Sequence, residues 1–153
     1  MIYVECWGDT SLVKGLGFSK RMFNHRSGKG EVSSALQRNP GSIGLVDEDP
    51  EGTQPSYLTS FQRVEDQRHL GRWVHVREGK KLVVLKPDLE HWVLTMAHES
   101  SIDLGHYRLP DTAAELYDAI NQRARPHAGF IKMIREYRDR NPMLRTLNRM
   151  LRA

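Results

Sequence analysis

"GSIGLVDEDPEG" spans Gly41–Gly52. A short apolar run, Ser42–Val46, ends abruptly in Asp47-Glu48-Asp49, and Pro50 and Gly52 then break the chain. A compact apolar run bounded by Gly41 and Asp47 has the form of a buried parallel strand. Three acids crowded at its end repel one another, and a divalent cation offsets that repulsion. Asp, Pro and Gly also dominate ordinary capped turns. On this stretch alone both readings stand.

Outward from it, the front of the chain falls into alternating elements. Met1–Val4 reads as a first buried strand, followed at once by Glu5. Asp9 is a candidate N-cap for a helix through "SLVKGL", ended by Gly15 or Gly17. Lys20–Asn24 is a candidate second strand, and the Gly-rich turn "RSGKGEV" opens a helix over Glu31–Arg38, stopped by Asn39-Pro40-Gly41. The first fifty residues therefore read β-α-β-α-β, which implies a parallel sheet with crossover helices.

The rest of the chain reads mainly helical. A short helix is expected around Tyr57–Asp66, then two short strands, Trp73–Arg77 and Lys81–Leu85, about a Glu78-Gly79 turn. Leu89–Glu99 spaces its apolar residues for one helix face. Helices follow over Thr112–Arg123, with Asp111 as candidate N-cap, and over Ala128–Arg140. A last helix opens at Asn141 with Pro142 in its first position. The expected organisation is one α/β domain over 1–153, a catalytic core over 1–100 and helices over 101–153.

Composition narrows the function. Hydrophobic content of 39% and charged content of 27% over 153 residues describe a globular chain. No apolar run approaches the roughly 20 residues that cross a bilayer, and the N-terminus has neither a basic region nor an apolar core for export. The expectation is a cytoplasmic protein with no membrane partner. The lone Cys6 excludes an internal disulfide and a cysteine-based zinc site. Seven histidines show no HExxH spacing, and "GKG" at Gly28–Gly30 lacks the surroundings of a Walker loop. Residues 121–153 hold nine Lys and Arg against two acids, so of the net +4 the first 120 residues carry −3. A basic tail beside an acid-bearing body suits a polyanion such as nucleic acid, although a solvated arginine-rich helix face has the same composition.

The acids have a shared destination. In an open α/β sheet, ligands bind beyond the carboxyl ends of the parallel strands. Glu5 and Asp47 each follow such a strand, and Asp9 begins the helix after the first. Asp47 and Asp49 have the two-residue period that projects side chains to one side of extended backbone. Oxygen donors clustered without Cys or His suit Mg²⁺ or Mn²⁺.

"YVECWGDTSLVKGLG" resembles the first motif of the TOPRIM (topoisomerase-primase) domain, a strand, a Glu, a turn and an acid four residues on. The family's Glu-Gly-x-x-Asp has Cys6 here in place of Gly. "GSIGLVDEDPEG" is similar to the second motif, Asp-x-Asp-x-x-Gly, with Asp47, Asp49 and Gly52 in register. "SGKGEV" resembles the glycine-containing turn between them. "LKPDLEHWVL" resembles the segment in which OLD-family nucleases of this type place a further metal-binding Glu, here Glu90. The resemblance implies a TOPRIM-like Rossmannoid sheet flanked by helices and a Mg²⁺- or Mn²⁺-dependent nuclease site. Glu5, Asp47 and Asp49 would hold metal, with Asp9 and Glu90 assisting a second ion. Lys132, or its competitor Lys86, would neutralise charge on the reacting phosphate. It further implies a nucleic-acid substrate, DNA ahead of RNA, a role in phage defence or DNA repair, and a separate ATPase or regulatory subunit. Non-catalytic nucleic-acid binding, with the acidic crevice purely structural, is the alternative.

Overall fold

In a computed structural model, which describes Met1–Ala153, six strands form one mixed sheet with helices on both faces. The strands are β1 (Ile2–Val4), β2 (Phe23–His25), β3 (Ile43–Asp47), β4 (Phe61–Asp66), β5 (Leu70–His75) and β6 (Lys81–Leu85). Their order is β2-β1-β3-β6-β5-β4. The first four in that order run parallel, and β5 and β4 complete the sheet antiparallel. The helices are α1 (Trp7–Gly15), α2 (Lys29–Arg38), α3 (Leu89–Glu99), α4 (Ala113–Asn121), α5 (Ala128–Tyr137) and α6 (Pro142–Arg152). None is long and apolar enough to cross a membrane.

Strand alternation distributes the core. Val4, Leu45, Val83 and Leu85 pack under α1, α3, α4, α5 and α6 in a cluster of 29 buried residues. Tyr3, Val46, Leu82 and Val84 face the other way, with Val32, Ala35 and Leu36 of α2, in a cluster of nine. Strands buried on both faces read as continuous apolar runs, which is why β1, β3 and β6 stand out in the sequence.

The chain first steps from β1 outward to β2 and then back across β1 to β3. Right-handed crossovers in opposite directions put the connecting helices on opposite faces. So α1 joins the larger cluster and α2 the smaller. The sheet thus splits its connections beyond the ends of β1 and β3, which are paired in register from Ile2↔Ile43 to Val4↔Leu45. Such a switch point is where an open α/β sheet offers a crevice.

Several expected elements shift. The helix expected around Tyr57–Asp66 is a 3-10 turn at Ser56–Ser60 followed by β4. β4 is an edge strand with mostly exposed side chains, so pairing to β5 makes it a strand and its own pattern does not. The second strand is Phe23–His25, displaced from Lys20–Asn24, and β5 begins at Leu70 where Trp73 was expected. Cys6, not Asp9, caps α1, and Thr112, not Asp111, caps α4. In both cases the capping side chain accepts from the amide three residues on, and Asp9 lies inside the first turn of its helix. Asn141 caps α6 as expected, with Pro142 following.

Gly15 fixes how α1 meets α5. A Cβ there would lie 2.5 Å from Ile134 Cβ and 3.0 Å from the Ile131 carbonyl oxygen. In an open helix Gly→Ala gains about 1 kcal/mol, whereas overpacking a core costs about 1–3 kcal/mol. Both neighbours belong to rigid parts of α5, so the second effect dominates. Gly15→Ala is expected to lower stability in urea unfolding, against the usual sign for this substitution; an unchanged or higher midpoint would refute the close crossing.

Candidate metal centre

β1 and β3 end side by side and deliver their acids to one rim. One carboxylate oxygen each from Glu5, Asp47 and Asp49 lies within 4.8 Å of the others. Glu5 also ties the two strand ends together, accepting the Asp47 amide through Oε1 at 2.7 Å. Asp47 is the last residue of β3, and beyond it the backbone is fastened to the neighbouring connection. The Glu48 amide donates to the Leu85 carbonyl and the Asp49 amide to the Pro87 carbonyl. Asp49 then turns into the left-handed region at φ 45°, a conformation that Asp tolerates better than most residues. Its carbonyl accepts the Gly52 amide, and a Cβ on Gly52 would sit 3.3 Å from Asp49 Cβ. The side chains of Asp47 and Asp49 thus converge through a turn, and not through continued extended backbone.

Two further acids stand close behind. Asp9, in the first turn of α1, is completely buried, and neither carboxylate oxygen has a hydrogen-bond partner. Asp47 Oδ1 is likewise buried and unpartnered. Glu90, in the first turn of α3, is nearly buried and accepts from Asn121 Nδ2 at 3.1 Å. Neither Asp9 nor Glu90 belongs to the triad whose oxygens meet, but both act on it through the field. Burial pushes the Glu5 carboxyl up to about 7, opposed by the Asp47 amide and Lys29 and reinforced by Asp49 and Glu90. Burial, then Asp9 and Glu5, push Asp47 up to about 10. Asp9 is raised well above the carboxylate range, by burial first and Glu5 next. Burial also raises Glu90.

Glycine and asparagine assemble this group. A Cβ at Gly8 would meet Leu89 Cδ2 at 2.6 Å and Asn121 Oδ1 at 3.2 Å. Its absence lets α3 and the end of α4 close on α1, and the Gly8 amide donates to Asn121 Oδ1 at 2.9 Å. Asn121 therefore holds the start of α1 with its oxygen and Glu90 with its nitrogen. Cys6 stands where the TOPRIM pattern has Gly, but its φ of −148° is ordinary extended backbone that needs no glycine. Burial holds the Cys6 thiol protonated, which suits capping and not nucleophilic attack.

The lysines expected at the site lie elsewhere. Lys132 is on the exposed flank of α5 and pairs with Glu136 at 4.0 Å. Lys86 pairs with Asp66 and donates to the Gln67 carbonyl. Lys29, at the head of α2, is the cation that meets the acids. Its Nζ lies 3.4 Å from Asp49 Oδ2, 3.2 Å from the Glu48 carbonyl and 3.0 Å from Gln54 Oε1. Gln54 in turn donates to the carbonyls of Glu48 and Asp49. His91 turns to Asp88 at 2.8 Å. Beside Asp49 opens a cleft of about 570 Å³, lined by Lys29, Gly52, Pro87 and Asp88 among others.

Lys29 was visible in "SGKGEV" as part of a turn, but nothing local marks it as a partner of Asp49. Asn121 carries no sequence signal, because its role depends on α1, α3 and α4 meeting. The donor set suits a hard divalent ion: oxygen only, with buried carboxyl oxygens lacking any protein donor. No protein-family model, curated protein or solved structure matches the chain.

Raised carboxyl pKa values have a definite stability consequence. Between the ordinary carboxylate range and the raised values, the folded chain keeps protons that the unfolded chain has released. Stability then falls as pH rises. In EDTA, the thermal midpoint is expected to decline from pH 5 towards pH 9, through about 7 for Glu5 and towards about 10 for Asp47. Added Mg²⁺ should oppose the decline increasingly at higher pH, since it binds the deprotonated groups. Asp47→Asn should be more stable than the parent in EDTA at pH 8 and lose the Mg²⁺ response. A flat profile, or an undiminished Mg²⁺ shift in the variant, would contradict the site.

Proposed function

We propose that the chain is a TOPRIM-type nuclease that hydrolyses phosphodiester bonds in nucleic acid, DNA ahead of RNA, with Mg²⁺ or Mn²⁺. The observation that carries this reading is the meeting of Glu5, Asp47 and Asp49 oxygens within 4.8 Å at a switch point. Behind them, both Asp9 carboxyl oxygens and Asp47 Oδ1 are buried with no hydrogen-bond partner in the protein, donor atoms left over for an ion. Glu5, Asp47 and Asp49 would hold the ion, and Asp9 and Glu90 would add charge for a second. A divalent ion here supplies Lewis-acid polarisation of a phosphoryl oxygen.

The chain's own groups then have distinct tasks. Glu5 fixes the register of the site by accepting the Asp47 amide through Oε1. Lys29 is pinned by the Glu48 carbonyl and Gln54 at the mouth of the cleft beside Asp49. A fixed ammonium there can stabilise negative charge as it grows on a phosphate. Lys29 takes the role that the family resemblance assigns to Lys132 or Lys86. Asn121 is a positioning residue, holding Glu90 to α1.

A second reading has its own support. With burial holding Asp47 and Asp9 protonated, the acids can coexist without metal as a neutral hydrogen-bonding corner, leaving a non-catalytic nucleic-acid-binding or regulatory subunit. Incubation with plasmid, single-stranded DNA and RNA in Mg²⁺, Mn²⁺ or EDTA separates the two. Metal-dependent cleavage is expected, reduced roughly 10²–10³-fold by Asp47→Asn and by a similar order for Lys29→Ala. Lys132→Ala should cleave like the parent. Binding without cleavage in any metal, unchanged in Asp47→Asn, would establish the second reading in place of the first.

A further inference from the structure

A second concavity lies at the head of α5, in a part of the chain that the acid cluster does not use. It encloses about 480 Å³, and Arg108, Arg123, Arg125 and His127 line it with Ala128 and Gly129. None of the three arginines takes part in an ion pair. Asp118, an acid in the last turns of α4, is occupied by Gln122 at 2.9 Å. Three arginines therefore line one hollow that has no Asp or Glu in its lining. Guanidinium groups match phosphate with paired, planar donors, whereas an unpaired cluster of them repels itself.

The fold builds this arrangement. Gly129 lets the first turn of α5 press against the segment before Arg108: a Cβ there would fall 2.0 Å from the Tyr107 carbonyl oxygen. Arg108 itself sits in the left-handed region at φ 59°, closing the 3-10 turn Leu104–Tyr107. His127 caps α5, accepting the Phe130 amide through Nδ1, and its own amide donates to Ser11 Oγ of α1. The Ala128 and Gly129 amides have no acceptor, and both residues line the hollow. Burial first, and Arg123 after it, lower the pKa of His127.

The hollow also adjoins the acid cluster through the backbone. Arg123 follows Asn121 by two residues, which bounds their Cα separation at about 7 Å. Asn121 is the residue whose side chain holds Glu90.

We infer that the Arg108–Arg123–Arg125 hollow binds a phosphate of a nucleic-acid backbone and seats the strand beside the acid cluster. Its contribution to cleavage rests on the metal-centre reading, but its affinity for phosphate does not. A strand held there presents a neighbouring phosphodiester to the rim of Glu5 and Asp47. The acids would repel an unaided polyanion, so a basic seat next to them is what lets the two meet without metal.

The test is binding in EDTA, where cleavage plays no part. A fluorescein-labelled single-stranded oligonucleotide is titrated by anisotropy at several salt concentrations against four folded proteins. These are the parent, Arg123→Ala with Arg125→Ala, Asp47→Asn, and Lys20→Ala with Arg21→Ala. Lys20 and Arg21 are exposed and precede β2, at the opposite end of the parallel strands, so the last protein loses the same charge far from the hollow. The Arg123/Arg125 variant is expected to bind at least tenfold more weakly, with a salt slope shallower by about 1.4, roughly 0.7 for each lost phosphate contact on a single strand. The Lys20/Arg21 variant and Asp47→Asn should retain parent-like slopes. Equal losses in the two double variants would overturn the proposal in favour of net charge alone. So would a parent that inorganic phosphate stabilises thermally while oligonucleotide binding is indifferent to Arg123 and Arg125, since the hollow would then serve free phosphate. Loss of cleavage in Asp47→Asn with binding intact bears on the metal centre only, so the two readings fail separately.

Discussion

Five carboxyl groups and one ammonium share a corner that runs from the fully buried Asp9 out to the exposed Asp49, and the arrangement of the chain around that corner follows from it. Each carboxyl arrives on a different support. Glu5 follows β1, Asp47 ends β3, Asp49 stands in a left-handed turn, Asp9 is in the first turn of α1, and Glu90 opens α3. Charges that repel are brought together only when the surrounding structure over-determines their positions. Here the parallel pairing of β1 and β3, the Glu5–Asp47 bond and the Asn121 bridge do so. Burying unpaired acids costs free energy, and Asp9, completely buried with neither oxygen partnered, carries the largest share of that cost.

The contrast with the far side of the sheet is instructive. Glu65, on the edge strand β4, is met by Arg149 through both oxygens, at 3.1 and 2.8 Å, and by Arg72 at 3.0 Å. Its carboxyl is held below the usual range by Arg149 first and Arg72 after it. The chain thus has arginines to place opposite acids and does so where an acid serves to hold elements together. At the rim of β1 and β3 it withholds them.

Much of this was legible in the residues. β1, β3 and β6 are buried on both faces, so unbroken apolar runs announce them, and acids placed directly after two of them indicate a shared edge. The edge strand β4 was not legible, since Gln62, Arg63, Val64 and Asp66 are exposed and only the ladder to β5 makes the segment extended. Helix starts were legible to within a few residues, and so was the Asn141 cap of α6, but the caps of α1 and α4 were not, because Cys6 and Asp9, and Thr112 and Asp111, compete for neighbouring roles. Lys29 and Asn121 escaped for a deeper reason. Their significance lies in which elements touch, and no local pattern encodes contacts across 20 residues, let alone across the 113 that separate Gly8 from Asn121. Lys132 matches the lysine that the resembled family has near the C-terminal end of the domain, but here its side chain is exposed and pairs with Glu136.

The two faces of the sheet are unequally insulated, with 29 buried residues on one side and nine on the other. Local opening follows the thinner packing, since fewer apolar contacts must be undone there. The flank bearing α2 carries Lys29 and, across from it, the Asp49 turn, so the thinner packing lies on the side of the cleft those residues line. The opposite flank, weighted by five helices, buries Asp9 completely, so the molecule is a box with one heavy wall and one light one.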